Sequence, residues 1–434
     1  MFESLRIRSR RRHCTAIFEA AVRAVAAGTF LPPLLPEPPE GGRLAILAAG
    51  KAAGAMAAVA EAHYRDELGL PPERLLGLAV TRHGYGVPTR GVEILGAGHP
   101  VPDAASLAAA ERMLDLADTL GPDDLAVFLL SGGASANLVA PVAGVTLEEK
   151  QALTRALLRS GAPIDAMNAV RKHLSRIKGG RLAQRIAPAR LVTIALSDVP
   201  NDDLSAIGSG PTVPDATTLA DACAVLGRYD IPLSPGIAAA LADPANETLK
   251  PGDPAFGRSL AMIGARPRDA FDAACEAAMR LGYVVRDLGC DLEGEARAIA
   301  AQHAALALRE AEQGGPLALI SGGELTVTIK GDGRGGPNQE YALALAIGLG
   351  GAPGIVALAA DTDGTDGGRG EPTDAAGAFI DPTTLARAAE HGLDPAAHLE
   401  RNDSTGFFEA LGDLHLPGPT FTNANDLRVI LIGD

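Results

Sequence analysis

Lys51 stands in Ala48-Ala49-Gly50-Lys51-Ala52-Ala53-Gly54, after an apolar run that reads as a buried strand and before a stretch that reads as a helix. Glycines beside a helix N-terminus let backbone N–H groups face an anion, and Lys51 adds a point charge for a phosphate or carboxylate. The competing account is a plain strand-to-helix turn with a solvated lysine. Only six residues are lysine (51, 150, 172, 178, 250 and 330) while arginine is abundant, so a lysine in such a loop is more than surface decoration.

Four further stretches have residue types suited to handling charge. Leu130-Ser131-Gly132-Gly133-Ala134-Ser135-Ala136-Asn137 ends the most apolar strand, and its glycines and serines can form a nest of anion-binding donors around Ser131 and Ser135. Arg171, Lys172, His173, Arg176, Lys178 and Arg181 crowd one helix and its C-terminus; they either neutralise an anionic ligand or complement the helix dipole. Asp198 and Asp203 lie in a strand-end loop, and Asp361 and Asp363 in another, which suits magnesium held by one or two carboxylates plus water and phosphate oxygens. The Asp361 loop is no EF-hand, because Gly364 comes too early and Pro372 stands where the bidentate Glu belongs.

Gly331-Asp332-Gly333-Arg334-Gly335-Gly336 matches G-x-G-x-x-G and keeps a dinucleotide reading open. Leu325, Val327 and Ile329 alternate with Thr326, Thr328 and Lys330, however, which describes a strand with one wet face. Gly322-Gly323 reads as a hairpin turn joining that strand to 317–321. Arg334 in the loop and Glu340 after it suit triphosphate and metal handling better than a bare pyrophosphate cradle. Walker A, protein-kinase and nucleophile-elbow patterns are absent.

The elements that must position these residues alternate as α/β. Strands at Leu44-Ala49, Leu75-Thr81, Val92-Leu95, Leu125-Leu130 and Leu191-Leu196 are separated by helical stretches, after an Ala-rich helix over 13–27. The turn-rich segment 243–257 reads as a linker between an N-terminal domain, 1–242, and a C-terminal domain, 258–434, that opens on a strand at Leu260-Gly264. The expected architecture is a Rossmann-like domain with a mostly parallel sheet, a smaller α/β domain, and an active site in the cleft between them.

Composition excludes several classes. With 38 Lys plus Arg against 53 Asp plus Glu, the net charge of -15 argues against nucleic acid as a partner. Four scattered cysteines give neither a disulfide framework nor a zinc site. No apolar run approaches the roughly 20 residues of a membrane span. Arg10-Arg11-Arg12 hints at an export signal, but Glu19 and Arg23 interrupt the apolar stretch that should follow, so a cytoplasmic protein is expected.

Taken together, GKAAGAMA at 50–57, LLSGGASA at 129–136, NAVRKHLSRIKGGRLA at 168–183, SDVPNDD at 197–203, GSGPTVPD at 208–215, GRGGPNQE at 333–340, DTDGTDG at 361–367 and TNANDL at 422–427 resemble the bacterial glycerate 2-kinase family. The C-terminal half resembles its MOFRL domain, and the motifs run in the expected order over nearly the whole chain. The resemblance implies ATP-dependent phosphorylation of D-glycerate, with Mg²⁺. It implies catalytic roles for Lys51 and Arg334, the latter replacing an arginine that some members carry where this chain has Pro337. Gly50, Ser131, Gly132, Gly133, Ser135, Arg171 and Lys172 are then the expected substrate and phosphate ligands. Gly331, Gly333, Gly335, Asn338 and Glu340 are the expected nucleotide ligands, and Asp198, Asp203, Asp361 and Asp363 the metal ligands. Gly368 to Glu371 reads as a short loop insertion. Two other functions stay open: an NAD(P)H-dependent hydroxypyruvate reductase and a non-enzymatic sugar-acid sensor. The sequence is silent on oligomeric state, a homodimer included.

Overall fold

The computed structural model describes residues 2–368 and 371–433, so the middle of the expected insertion, Arg369 and Gly370, lies outside it. The chain divides into two compact units: Phe30–Ala265, and Met1–Thr29 together with Arg266–Asp434.

The first unit is built on six strands: β1 (Leu44–Ala49), β2 (Leu75–Arg82), β3 (Glu93–Ala97), β4 (Leu125–Leu130), β5 (Arg190–Leu196) and β6 (Ser259–Ala265). They form one sheet in the order β3-β2-β1-β4-β5-β6, parallel throughout. Every residue of β1 and β4 is buried, as a strand covered on both faces requires, which is why these two read as unbroken apolar runs. Capping boxes start the neighbouring helices: Asp103 with Ser106 before Ala104–Asp118, and Thr146 with Glu149 before Leu147–Arg159. A satellite core of Leu153, Leu157, Val170, Leu226 and Ile237 ties four helices into a side layer, among them Leu147–Arg159 and Ile164–His173.

Two expectations about boundaries fail here. The strand expected to open the second domain is β6, which pairs with β5 at the edge of the first sheet. The expected linker 243–257 is fastened to the first unit: Leu249 N–H donates to Gly179 O at 3.2 Å, and the Glu247 carboxylate meets His173 Nε2 at 2.9 Å. Its prolines, glycines and aspartates mark chain reversals, and turn chemistry does not distinguish a packed reversal from a free tether.

The second unit holds β7 (Val284–Asp287), β8 (Gly294–Glu295), β9 (Leu317–Gly323), β10 (Leu325–Thr326), β11 (Ile355–Asp361), β12 (Gly377–Ile380), β13 (Leu414–His415) and β14 (Asp426–Ile432). Its main sheet runs β13-β12-β11-β14-β9-β7, antiparallel except for β7 beside β9. The N-terminal helix, Phe2–Ala24, packs on the helix Pro267–Arg280 of this unit rather than on the first sheet. Arg10 and Arg11, part of the triplet that hinted at export, hold it there. Arg11 bonds Asp381 at 3.0 Å and Asp413 at 2.7 Å, and Arg10 donates to Gly354 O at 2.6 Å.

The expected hairpin of 317–321 with 325–329 is also absent. Gly323 continues β9, where a side chain would strike the Leu292 backbone at 2.2 Å. Strand β10 is two residues long and pairs in parallel with β8. Beyond it Glu295 takes Thr328 N–H and Oγ1, both at 3.1 Å, so the alternating pattern came from a strap held by one carboxylate.

Candidate active site

The strand order places β1 beside β4 at the point where the chain turns from building one side of the sheet to building the other. In open parallel sheets the loops leaving such neighbours part to opposite faces and leave a crevice at the strands' C-terminal ends. The two loops here are Gly50-Lys51-Ala52 and Ser131-Gly132-Gly133. Lys51 N–H donates to Gly132 O at 2.8 Å, and Ala52 N–H to Ser131 Oγ at 3.0 Å. Gly50 needs its φ of +119°, and a side chain there would lie 2.3 Å from Ser131 O. Ser131, expected to bind substrate, is fully buried, so its hydroxyl locks the loops together. Gly133, at φ +82°, is where three segments meet. An added Cβ would sit 3.0 Å from the His99 ring and 3.1 Å from Lys51 Cγ.

A cavity of ≈ 190 Å³ opens on that junction, walled by His99, Gly133, Ser135, Lys150, Arg171 and Lys178. No Asp or Glu lines it. Lys178 Nζ donates to Ser135 O at 2.8 Å and to Ser135 Oγ at 3.0 Å. Ser135 Oγ lies 3.0 Å from Ser209 Oγ, and Ser209, held at φ +63°, in turn bonds Asn168 at 3.3 Å. Lys150 Nζ donates to the carbonyls of Arg171 and Leu174, at 3.2 and 2.6 Å. Burial pushes Lys150 down to about 7, with Arg171 and Arg181 adding to the fall. Burial also holds Lys178 well below the lysine range, with Lys150 and Arg171 repelling its charge, and it lowers Arg171. Such a group of cations suits an anion. A larger hollow of ≈ 810 Å³ at the opposite ends of β1 and β4 mixes Arg43, Arg190 and Arg258 with Glu40, Asp123 and Asp124. Ligands of open parallel sheets do not sit at that end.

Of the expected ligands, Arg171 lies in the cavity wall and Lys172 does not. Consecutive helical residues point about 100° apart, and Lys172 is buried against Asp215 at 3.2 Å. Lys150 was not among the expected ligands because it comes from another helix. Lysine scarcity was the signal that could have found it: Lys150 and Lys178 line this cavity, and Lys51 lies beside it. Asp203 uses its carboxylate on Ser205 N–H and Oγ, both at 2.8 Å.

In the second unit the glycine-rich loop is shaped by packing. Side chains at Gly331, Gly333 and Gly335 would strike Arg401 O at 2.3 Å, Asp403 Cβ at 2.5 Å and Ser404 Oγ at 2.2 Å. Asn402 Oδ1 accepts Lys330 and Gly331 N–H at 2.8 and 3.0 Å, and its amide donates to Glu340 at 2.9 Å. Glu340 is buried and paired with Arg297 at 2.6 Å. The N-terminus of the helix Pro337–Leu349 is already occupied by a carboxyl group: Asp366 accepts Asn338 N–H at 3.0 Å and Gln339 N–H at 2.8 Å. Asn338 Nδ2 also reaches Asp426 at 2.7 Å. Arg334 is exposed and paired with Glu409 at 2.6 Å.

Asp361 accepts Asp363 N–H at 2.8 Å, and Asp363 accepts Thr365 N–H at 2.8 Å, so these carboxylates brace their own turn. Among the described residues, no three of His, Cys, Asp or Glu gather as a metal site. The donor set therefore does not fit a resident metal.

Comparison with known proteins then decides the lineage. Residues 13–242 match the model of a domain of unknown function, DUF4147, and residues 317–426 the MOFRL family. The chain is 41% identical over 395 residues to D-glycerate 2-kinase of Thermotoga maritima, covering 90% of this chain and 91% of that one. The crystal structure of Thermotoga maritima glycerate kinase superposes with a TM-score of 0.83 at 38% identity, over 98% of this chain and 100% of that one. The chain belongs to the glycerate kinase family. A protein of Agrobacterium vitis provisionally named hydroxypyruvate reductase is 48% identical over 431 residues, 98% of this chain and 95% of that one, so both names occur among its relatives.

In this member of the glycerate kinase family, the first unit has the strand order of a dinucleotide-binding fold without its fingerprint. The turn after β1 reads Gly50-Lys51-Ala52-Ala53-Gly54, and β2 ends on Thr81-Arg82 where an acidic ribose ligand is expected. The formal G-x-G-x-x-G belongs to the other unit, follows a strap, and owes its glycines to packing.

Proposed function

We propose that this protein transfers the γ-phosphoryl group of MgATP to the 2-hydroxyl of D-glycerate, giving 2-phosphoglycerate and MgADP. The observation that carries this reading is the cation-lined, acid-free cavity that adjoins Lys51 at the switch point of the first sheet. It offers a small hydroxy acid a seat beside a lysine. The kinase names among its relatives support the same reading. Phosphoryl transfer asks the protein mainly to position reactants and to neutralise charge. Lys51 neutralises charge on the moving phosphoryl group, and Arg334 is the second catalytic cation that the family resemblance implies. Magnesium enters as part of the nucleotide substrate.

The reductase reading needs a pyrophosphate cradle after β1, and the Ala52 N–H there is already bonded to Ser131 Oγ. We place the reaction in the cytoplasm. All four cysteines are free, and among the described residues no helix is long and apolar enough to cross a membrane. Incubation with ATP, Mg²⁺ and D-glycerate, followed by phosphorus NMR of the product, tests the function. An ester on C2 is expected; an ester on C3 would move the acceptor to the other hydroxyl.

A further inference from the structure

We propose that Lys150, Arg171 and Lys178 seat the carboxylate of the acceptor, and that these three side chains select a small hydroxy acid over an uncharged polyol. The inference rests on the glycerate kinase reading and adds the residues that recognise the acid. Three separate segments converge to make the seat: Lys150 from the helix Leu147–Arg159, Arg171 from the helix Ile164–His173, and Lys178 from the turn that follows. Lys150 and Lys178 are 5% and 2% exposed.

What sets this group apart is the company it keeps. Lys172 faces Asp215 at 3.2 Å, Arg428 faces Asp426 at 2.6 Å, and Arg11 faces Asp381 and Asp413. The three cavity cations meet carbonyls, a serine and an asparagine, and no carboxylate lines the space between them. Buried charges of one sign are costly unless a counter-charge arrives, so the arrangement is poised for a ligand that brings one. A volume of ≈ 190 Å³ is too small for a nucleotide and suits an acid of a few carbons. Gly133 belongs to the cavity wall, and a Cβ added to it would lie 3.1 Å from Lys51 Cγ, so an acid anchored at the cations extends toward Lys51.

The test compares the full-length protein with Arg171→Met, which keeps the bulk and removes the charge, and Thr154→Leu, which fills the cavity from its half-buried rim. D-glycerate and glycerol serve as acceptors with MgATP, and isothermal titration calorimetry with D-glycerate alone serves as a readout without turnover. Losing one charge-assisted contact should raise KM for D-glycerate ~10–100-fold while kcat changes much less. Arg171→Met should also shrink the preference for glycerate over glycerol. Folded variants that both keep KM and affinity within twofold of the parent overturn the proposal and leave the kinase reading intact. A parent that binds D-glycerate, loses that binding in the variants, and yet never forms ADP keeps the carboxylate seat and sinks the kinase reading. A parent that neither binds nor phosphorylates D-glycerate overturns both.

Discussion

Two lysines meet negative charge at different places, and their surroundings explain how. Lys51 sits at a half-buried loop end pinned to Gly132 and is asked to offset phosphate charge. Lys51→Ala should therefore lower kcat by ~10²–10³, as loss of a charge-stabilising donor does elsewhere. Lys51→Arg should not restore the rate, because a planar fork cannot replace a compact ammonium. Arg334→Ala should also lower kcat, with less effect on the KM for ATP; steady-state kinetics on the three variants checks both statements. Lys150 is asked to hold an anion while repelled by Arg171 and Arg181 and while sharing the cavity wall with Lys178 and His99. Its value of about 7 means that it is charged below neutrality and loses its proton as pH rises. KM for D-glycerate should accordingly climb between pH 6 and 8.5, and Lys150→Met should flatten that profile at a uniformly high KM.

At the scale of elements, the helix Pro337–Leu349 shows how a motif can mislead. Its glycine-rich approach looks like a phosphate cradle, yet its first N–H groups are taken by Asp366. Burial, with Asp426 adding repulsion, pushes that carboxyl up to about 7, above the ordinary 3.8. A carboxyl whose folded value is raised stabilises the fold at low pH, and that contribution is lost as pH rises from about 3.8 through about 7. The melting temperature should fall between pH 5 and pH 8, and Asp366→Asn should reduce that fall by a few degrees in thermal melts. Strands β1 and β4 were legible from sequence because burial on both faces leaves nothing but apolar residues. The strap after β10 was not, since alternation reports one wet face and says nothing about what bonds the backbone. Arg171 lines the cavity and Lys172 does not, because a cluster in sequence becomes two faces on a helix.

For the whole molecule, the α/β class followed from alternating apolar runs, while the ownership of the chain ends did not. The N-terminal helix belongs with the C-terminal unit through Arg11, bonded to Asp381 and Asp413, and Phe18, edge-on to His415, contacts hundreds of residues apart that no local pattern announces. Deleting residues 1–29 should therefore expose the helix Pro267–Arg280 and destabilise the C-terminal unit, while 30–265 stays protected in hydrogen exchange. One paired assay separates the two reactions. The protein is given ATP, Mg²⁺ and D-glycerate in one vessel, and NADH with hydroxypyruvate in another. ADP formation matched by 2-phosphoglycerate, with no NADH oxidation, is the predicted result; NADH oxidation without ADP formation would contradict the account.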